Sequence, residues 1–222
     1  MTKKISIAID GPASAGKSTV AKLLAKKLNY VYVDTGAMYR VITYATLKNN
    51  INPSDEKAIV KLLETIEIGF QSNDDAPQTV LMNGEDVTEV IREDLVTNNV
   101  SQVSAHEQVR KILVARQQEI GRNGGVVMDG RDIGTAVMPN AELKIFLVAS
   151  VEERAERRYK ENLAKGMDVD FEKLKQEIAD RDHKDMTRDV SPLIQAEDAK
   201  LIDTTGMSIE KVVNTIESYL VI

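Results

Sequence analysis

The sequence predicts an α/β fold, a five-stranded parallel sheet with helices on both faces, to which a small antiparallel β insertion and a helical lid are added. Two observations lead there. Short apolar runs alternate with amphipathic helical patterns, the rhythm of strands joined by crossover helices. A glycine-rich turn, "GPASAGKS", stands between the first such run and the first such helix. The 222 residues suit one domain with an insertion, large enough to bury a sizeable core.

Each element has its own signal. Ile5–Asp10 is an apolar run closed by Gly-Pro, and Ser18–Leu28 sets apolar residues at helical spacing. Tyr30–Val33 is the second run, followed by a helix through Met38–Leu47. Val126–Met128, Leu143–Val148 and Leu201–Ile202 complete the sheet, short and apolar as strands buried on both faces should be. The middle of the chain breaks the rhythm. Ile66–Phe70, Gln78–Met82 and the turn Asn83-Gly84 predict an antiparallel unit, because Asn-Gly supplies the left-handed residues of a tight hairpin. Helices are expected over Glu93–Val103 and His106–Arg122, the second ended by Gly124-Gly125, and over Val151–Lys165 and Phe171–Met186. The expected organisation is a single domain over 1–222, with a core of 1–65, 93–150 and 188–222, an insertion at about 66–92, and a lid with flanking helices at about 151–187.

Composition narrows the function. Apolar residues make up 42% and charged residues 29%, a soluble balance, and the net charge of −6 argues against non-specific nucleic-acid binding, which needs a basic surface. With no cysteine there is no thiol nucleophile, disulfide or zinc-thiolate site. No run approaches the ~20 apolar residues that cross a bilayer, and "MTKKISIAID" enters a strand without a signal-peptide segment. A cytoplasmic protein without a nucleic-acid or membrane partner, acting as a monomer, is expected.

The segment Gly11–Ser18 matches G-x-x-x-x-G-K-[ST], in the strand-to-helix context that gives this motif its meaning. Gly11, Pro12, Ala13, Ser14, Ala15, Gly16, Lys17, Ser18 and Thr19 are therefore assigned to a nucleoside triphosphate. Backbone N–H groups and the helix start would cradle phosphate oxygens, with Lys17 on the β- and γ-phosphates and the Ser18 hydroxyl on Mg²⁺. The fold is then of the P-loop NTPase type. No Asn-Lys-x-Asp guanine-reading motif is present, and many arginines lie away from the loop, which favours a small-molecule kinase.

Four further stretches could hold the acceptor. "DTGAMYR" (Asp34–Arg40) follows the second strand, at the sheet edge where open α/β sheets bind ligands. "MDGRDIG" repeats that placement; Asp129 suits the Mg²⁺ shell, and Arg131 and Asp132 follow it. In "RDHKDMTR", Arg181, Asp185 and Arg188 fall on one helical face by spacing. In "EERAERRYK", Arg154, Arg157 and Arg158 form a basic face that could close over a transferring phosphoryl group. Each also has an ordinary explanation. Asp34 or Thr35 could cap a helix, "GRD" could be a capped turn, and the two charged helices could be solvated ion-pair faces.

Taken together, "IDGPASAGKST", "DTGAMYR", "NVSQVSAHEQVR" and "MDGRDIGT", with "RD" and "SPL" near 181–193, resemble bacterial cytidylate kinases over nearly the whole chain. The resemblance implies a nucleoside monophosphate kinase in pyrimidine metabolism that transfers the γ-phosphoryl of ATP to CMP or dCMP, giving CDP or dCDP, with Mg²⁺ as cofactor. It places Thr35, where the family often has Ser, near the cytosine. Arg110, Asp132 and Arg188 match base-reading positions, and Ser101, Arg181 and Asp185 match sugar contacts. Arg40 and Arg131 match the arginines on the acceptor phosphate. Arg154, Arg157 and Arg158 fall in the lid, and with Lys17 and Arg131 make up the expected catalytic set; Ser18 and Asp129 are the expected metal ligands. Sugar reading by Asp185 predicts that Asp185→Ala lowers turnover with melting near normal. Another acceptor (UMP, AMP or shikimate) and a nucleotide-dependent switch are the competing readings.

Overall fold

The computed structural model describes residues 4–73, 76–164 and 166–220. In chain order its elements are β1 (Ser6–Asp10), α1 (Lys17–Leu28), β2 (Val31–Asp34), α2 (Thr35–Lys48), α3 (Glu56–Leu63), β3 (Ile68–Asn73), β4 (Ala76–Met82), β5 (Glu85–Asp86), α4 (Asp94–Ala105), α5 (Glu107–Gly121), β6 (Val126–Gly130), β7 (Leu143–Val148), α6 (Val151–Ala164), α7 (Phe171–Thr187), β8 (Lys200–Asp203) and α8 (Ile209–Glu217). The chain forms two compact units, Met1–Val33 with Ile120–Ile222, and Asp34–Glu119.

The first unit carries the five-stranded sheet, in the order β2-β6-β1-β7-β8. The recorded pairings of β1 with β6 and β7, and of β7 with β8, are all parallel. Ile7, Ile9, Val127, Ile145 and Leu147 turn one face toward Val20, Leu24, Val212 and Ile216 of α1 and α8. Met128 lies on the other face, against Gly121 at the end of α5. Alternation along buried strands thus fills both faces, as the apolar runs require. Edge strand β8 departs from that expectation. Leu201 is 55% exposed, because a strand with one neighbour and one uncovered face has less to pack against.

The second unit packs α2, α3, α4 and most of α5 around Met38, Ile42, Ile59, Leu63, Ile91, Val103 and Leu113. The antiparallel sheet β3-β4-β5 belongs here, with Val80 and Met82 of β4 buried in the same core. Asn83 and Gly84 take φ of 51° and 83°, both left-handed, as a type I′ turn demands. That turn closes β4 onto β5, a two-residue strand that the sequence pattern did not announce.

Two helices were also unannounced. α3 starts at Asp55, whose carboxylate accepts from the Ala58 N–H, and α8 starts at Ser208, whose hydroxyl accepts from the Lys211 N–H. α5 ends at Gly121, ahead of the expected Gly-Gly stop. Gly124 and Gly125 instead turn the chain into β6, and a Cβ on Gly124 would lie 2.5 Å from the Lys4 carbonyl oxygen. Arg188 is not on the helical face that its spacing suggested. α7 ends at Thr187, and Arg188 has extended backbone, with φ of −67° and ψ of 145°.

Candidate active site

The donor loop leaves β1 and enters α1. Gly11 has φ of +146°, and a Cβ there would sit 2.1 Å from the Leu147 carbonyl oxygen, so only glycine lets the loop cross β7 this closely. Lys17 begins α1 and is buried, its ammonium donating to the Pro12 carbonyl at 2.6 Å. Burial pulls its pKa down to about 7. Arg131 lowers it further, and Asp129 and Asp10 counter only part of that. A buried amine held this near neutrality is one that a polyanion would complete with a proton.

Asp10, the last residue of β1, accepts from the Ile133 N–H at 2.8 Å and the Gly134 N–H at 2.7 Å, one with each carboxylate oxygen. Burial raises its pKa to about 6, against those two N–H donors, which lower it. It remains ionised at neutral pH and anchors the start of the π-helical turn Ile133–Val137 just after Arg131 and Asp132. Asp10 was not among the expected site residues. Its position at the carboxyl end of a strand, next to the glycine loop, was the available signal.

Asp129 stands at the same sheet edge, since Ile9 pairs with Asp129 and Asp10 with Gly130. The Ser18 hydroxyl donates to one Asp129 oxygen at 2.8 Å, and the Tyr32 hydroxyl donates to the other at 2.8 Å. Among the described residues no group of three or more His, Cys, Asp or Glu side chains could hold a metal alone. One hydroxyl beside one carboxylate is the sparse protein share that Mg²⁺ takes when water and phosphate oxygens supply its other ligands, so these residues fit that ion.

Around Lys17 the first unit assembles a charged cluster. Arg131 Nε donates to Asp185 Oδ2 at 2.8 Å. Arg181 feels Arg131, Asp185, Arg158 and Asp182, and burial foremost, with Arg131 next, pulls its pKa down to about 10. Its Nε has no hydrogen-bond partner among the described residues. Burial pushes Asp185 up, but Arg131, Arg181 and Arg188 outweigh it and hold the carboxyl below its ordinary range. Arg188 lies 3.7 Å from Asp132, and its Nε donates to the Ser191 carbonyl.

The three expected lid arginines have different settings. Arg154 is buried, donating to the Ala149 and Ala13 carbonyls at 3.0 and 3.1 Å and pairing with Asp182 at 2.6 Å. Arg157 donates to the hydroxyl and carbonyl of Thr204 at 3.1 and 2.8 Å. Arg158 reaches the Ser14 hydroxyl of the donor loop at 3.3 Å. Arg154 thus ties the loop to α6 and α7, and Arg158 lies on the loop's side-chain surface.

Thr35, Arg40, Ser101 and Arg110 belong to the second unit. Asp34 caps α2 through the Ala37 N–H, so one ordinary explanation of "DTGAMYR" is correct for Asp34. Thr35 is buried in the first turn of α2. Arg40 donates to the Ile91 carbonyl at 3.0 Å and to the Thr97 hydroxyl at 2.8 Å. Arg110 is fully buried, donates to the Ser104 carbonyl, and stacks its guanidinium 5.1 Å from the Tyr39 ring centre. Ser101 lies on α4, one helical turn before Ser104.

A family model described as cytidylate kinase matches residues 7–221, nearly the whole described chain. The chain belongs to the cytidylate kinase family. It is 62% identical over 216 residues to a cytidylate kinase of Ligilactobacillus salivarius, with 97% of this chain and 96% of that one covered. It is 63% identical over 217 residues to a cytidylate kinase of Enterococcus faecalis, covering 98% and 96%. Among solved structures, an uncharacterized protein from Eubacterium ventriosum superposes with a TM-score of 0.51 at 13% identity, covering 98% of each chain, which shows a shared fold.

Proposed function

We propose that this protein transfers the γ-phosphoryl group of ATP to CMP or dCMP, producing CDP or dCDP for pyrimidine nucleotide metabolism. The observation that carries this is membership of the cytidylate kinase family at 62–63% identity over nearly the full chain. The donor loop and its cation cluster supply the chemistry.

The acceptor phosphate is already an anionic nucleophile, so the site needs no general base; it needs position and positive charge. Lys17 takes the β- and γ-phosphates, and Arg158, beside Ser14, stabilises charge on the transferring group. Arg131 and Arg40 hold the acceptor phosphate. Arg154 acts on none of these atoms directly; its three bonds hold the loop and the helices in register. Ser18 and Asp129 would hold Mg²⁺, which when bound neutralises phosphate charge. Arg110, Asp132, Arg188 and Thr35 read the base; Ser101, Arg181 and Asp185 read the sugar. A polar base pocket leaves its buried groups unpaired when the wrong base enters, which favours cytosine over uracil or purines. The reaction is a direct in-line transfer in a cytoplasmic, monomeric enzyme.

The test is ADP release with ATP, Mg²⁺ and each nucleoside monophosphate in turn. Turnover confined to CMP and dCMP supports the reading. Turnover centred on AMP or GMP overturns the base assignments, and ATP hydrolysis without any acceptor overturns the kinase assignment.

A further inference from the structure

The Tyr32 hydroxyl is bound to Asp129, the carboxylate that also accepts from the donor loop's Ser18, and nothing in the proposed reaction uses it. Tyr32 sits on β2, buried among Val127, Ala25 and other residues that pack α1 against the sheet. A buried tyrosine must place its hydroxyl on a partner. Of the acceptors available, this one meets Asp129 Oδ1 at 2.8 Å. The Ser18 hydroxyl meets Oδ2 of the same carboxylate, also at 2.8 Å. The two oxygens are therefore held by two hydroxyls from two elements, β2 and α1, and the plane of the carboxylate is set.

We infer that Tyr32 is a positioning residue for divalent-cation binding: its hydroxyl orients Asp129 so that the carboxylate keeps Ser18 and the cation rather than turning to the neighbouring Lys17. The inference rests on the assignment of Ser18 and Asp129 to that cation. Two features support it. The Coulombic attraction of Lys17 for Asp129 is already present, so an Asp129 that has lost the Tyr32 hydrogen bond has a cation pulling on its carboxylate. The Lys22 ammonium lies 5.5 Å from the Tyr32 ring centre, so the ring has its own packing role that survives loss of the hydroxyl. Phenylalanine at position 32 therefore isolates the hydrogen bond. Outer groups that orient metal ligands typically contribute about 10–100-fold in metal affinity.

The experiment uses Mn²⁺ as the probe. Its binding to the full-length protein with ADP is followed by electron paramagnetic resonance in the wild type, Tyr32→Phe and Ser18→Ala, beside metal-free ADP binding in EDTA and thermal melting. The expected result for Tyr32→Phe is an Mn²⁺ dissociation constant raised about 10-fold, with metal-free ADP affinity within about two-fold and melting near that of the wild type. Mn²⁺ affinity unchanged in Tyr32→Phe but weakened in Ser18→Ala overturns the role of Tyr32 alone. Mn²⁺ affinity unchanged in both overturns the cation assignment itself. A parallel fall of metal-free and metal-bound ADP affinity in Tyr32→Phe marks a disturbed loop and also overturns the inference.

Discussion

Arg131 Nε and Asp185 Oδ2 meet at 2.8 Å with both side chains largely buried, 18% and 7% exposed. Removing one member of such a pair strands the other charge, at a cost of about 3–5 kcal/mol. Asp185→Ala is therefore expected to lose about 3 kcal/mol in denaturant unfolding at pH 7, besides losing turnover. This revises the expectation from sequence that melting would stay near normal. Asp185 has a depressed pKa, so its contribution is present above the ordinary carboxylate pKa of 3.8 and is lost as pH falls below it. The stability gap between wild type and variant should shrink below about pH 4. A gap that is constant down to pH 3 would rule out the ion pair as its source.

Lys17, at about 7, predicts proton uptake on donor binding. Phosphates should restore the ammonium, so at pH 8 ADP binding is expected to take up a fraction of a proton approaching one. Calorimetry in buffers of different ionisation enthalpy measures it directly. Lys17→Met should abolish the uptake. In the free protein the sign is opposite to that of an ion-paired lysine. Between pH 7 and 10.5 the unfolded chain holds the proton more tightly, so Lys17 makes stability rise with pH over that window.

The separate settings of Arg154 and Arg158 predict separate failures. Arg154→Met leaves Asp182 buried without its partner and cuts the loop's tie to α6, so unfolding stability should drop by about 3 kcal/mol. If Arg158 stabilises developing charge as proposed, Arg158→Ala should leave melting within a few degrees and reduce kcat about 100-fold. Melting curves beside steady-state kinetics distinguish the two. Equal destabilisation by both would refute the division of roles.

Gly11→Ala tests the close crossing of the donor loop over β7. A methyl carbon 2.1 Å from the Leu147 carbonyl oxygen cannot be housed without moving backbone. Donor affinity should fall at least about 100-fold, with stability reduced by about 2–4 kcal/mol. ADP binding comparable to the wild type would show that the loop can relax there.

Much of this site was legible before folding, for identifiable reasons. Gly11, Gly16 and Lys17 serve one loop within a few residues of one another, so their chemistry is written as a local motif. The Asn83-Gly84 turn is equally local. Asp10, Tyr32 and Asp182 act across the sheet or between helices, on Ile133, Asp129 and Arg154, far away in the chain. Their residue types alone carry no trace of those partners. Arg188 was misplaced because regular spacing was extended past Thr187, where the helix has already ended.

The sequence by itself determined the alternation of strands and helices, the phosphate loop and the family, since these depend on hydrophobic period, glycine conformational freedom and contiguous motifs. Only the tertiary structure decided which arginine is a buried strut and which lies at the loop, which carboxylates answer them, and which hydroxyls bond to Asp129. Those assignments depend on distances of a few ångströms between residues that are distant in the chain, from Arg154 and Asp182 to Ser14 and Arg158, and on burial, which sets the strength of each charge–charge interaction.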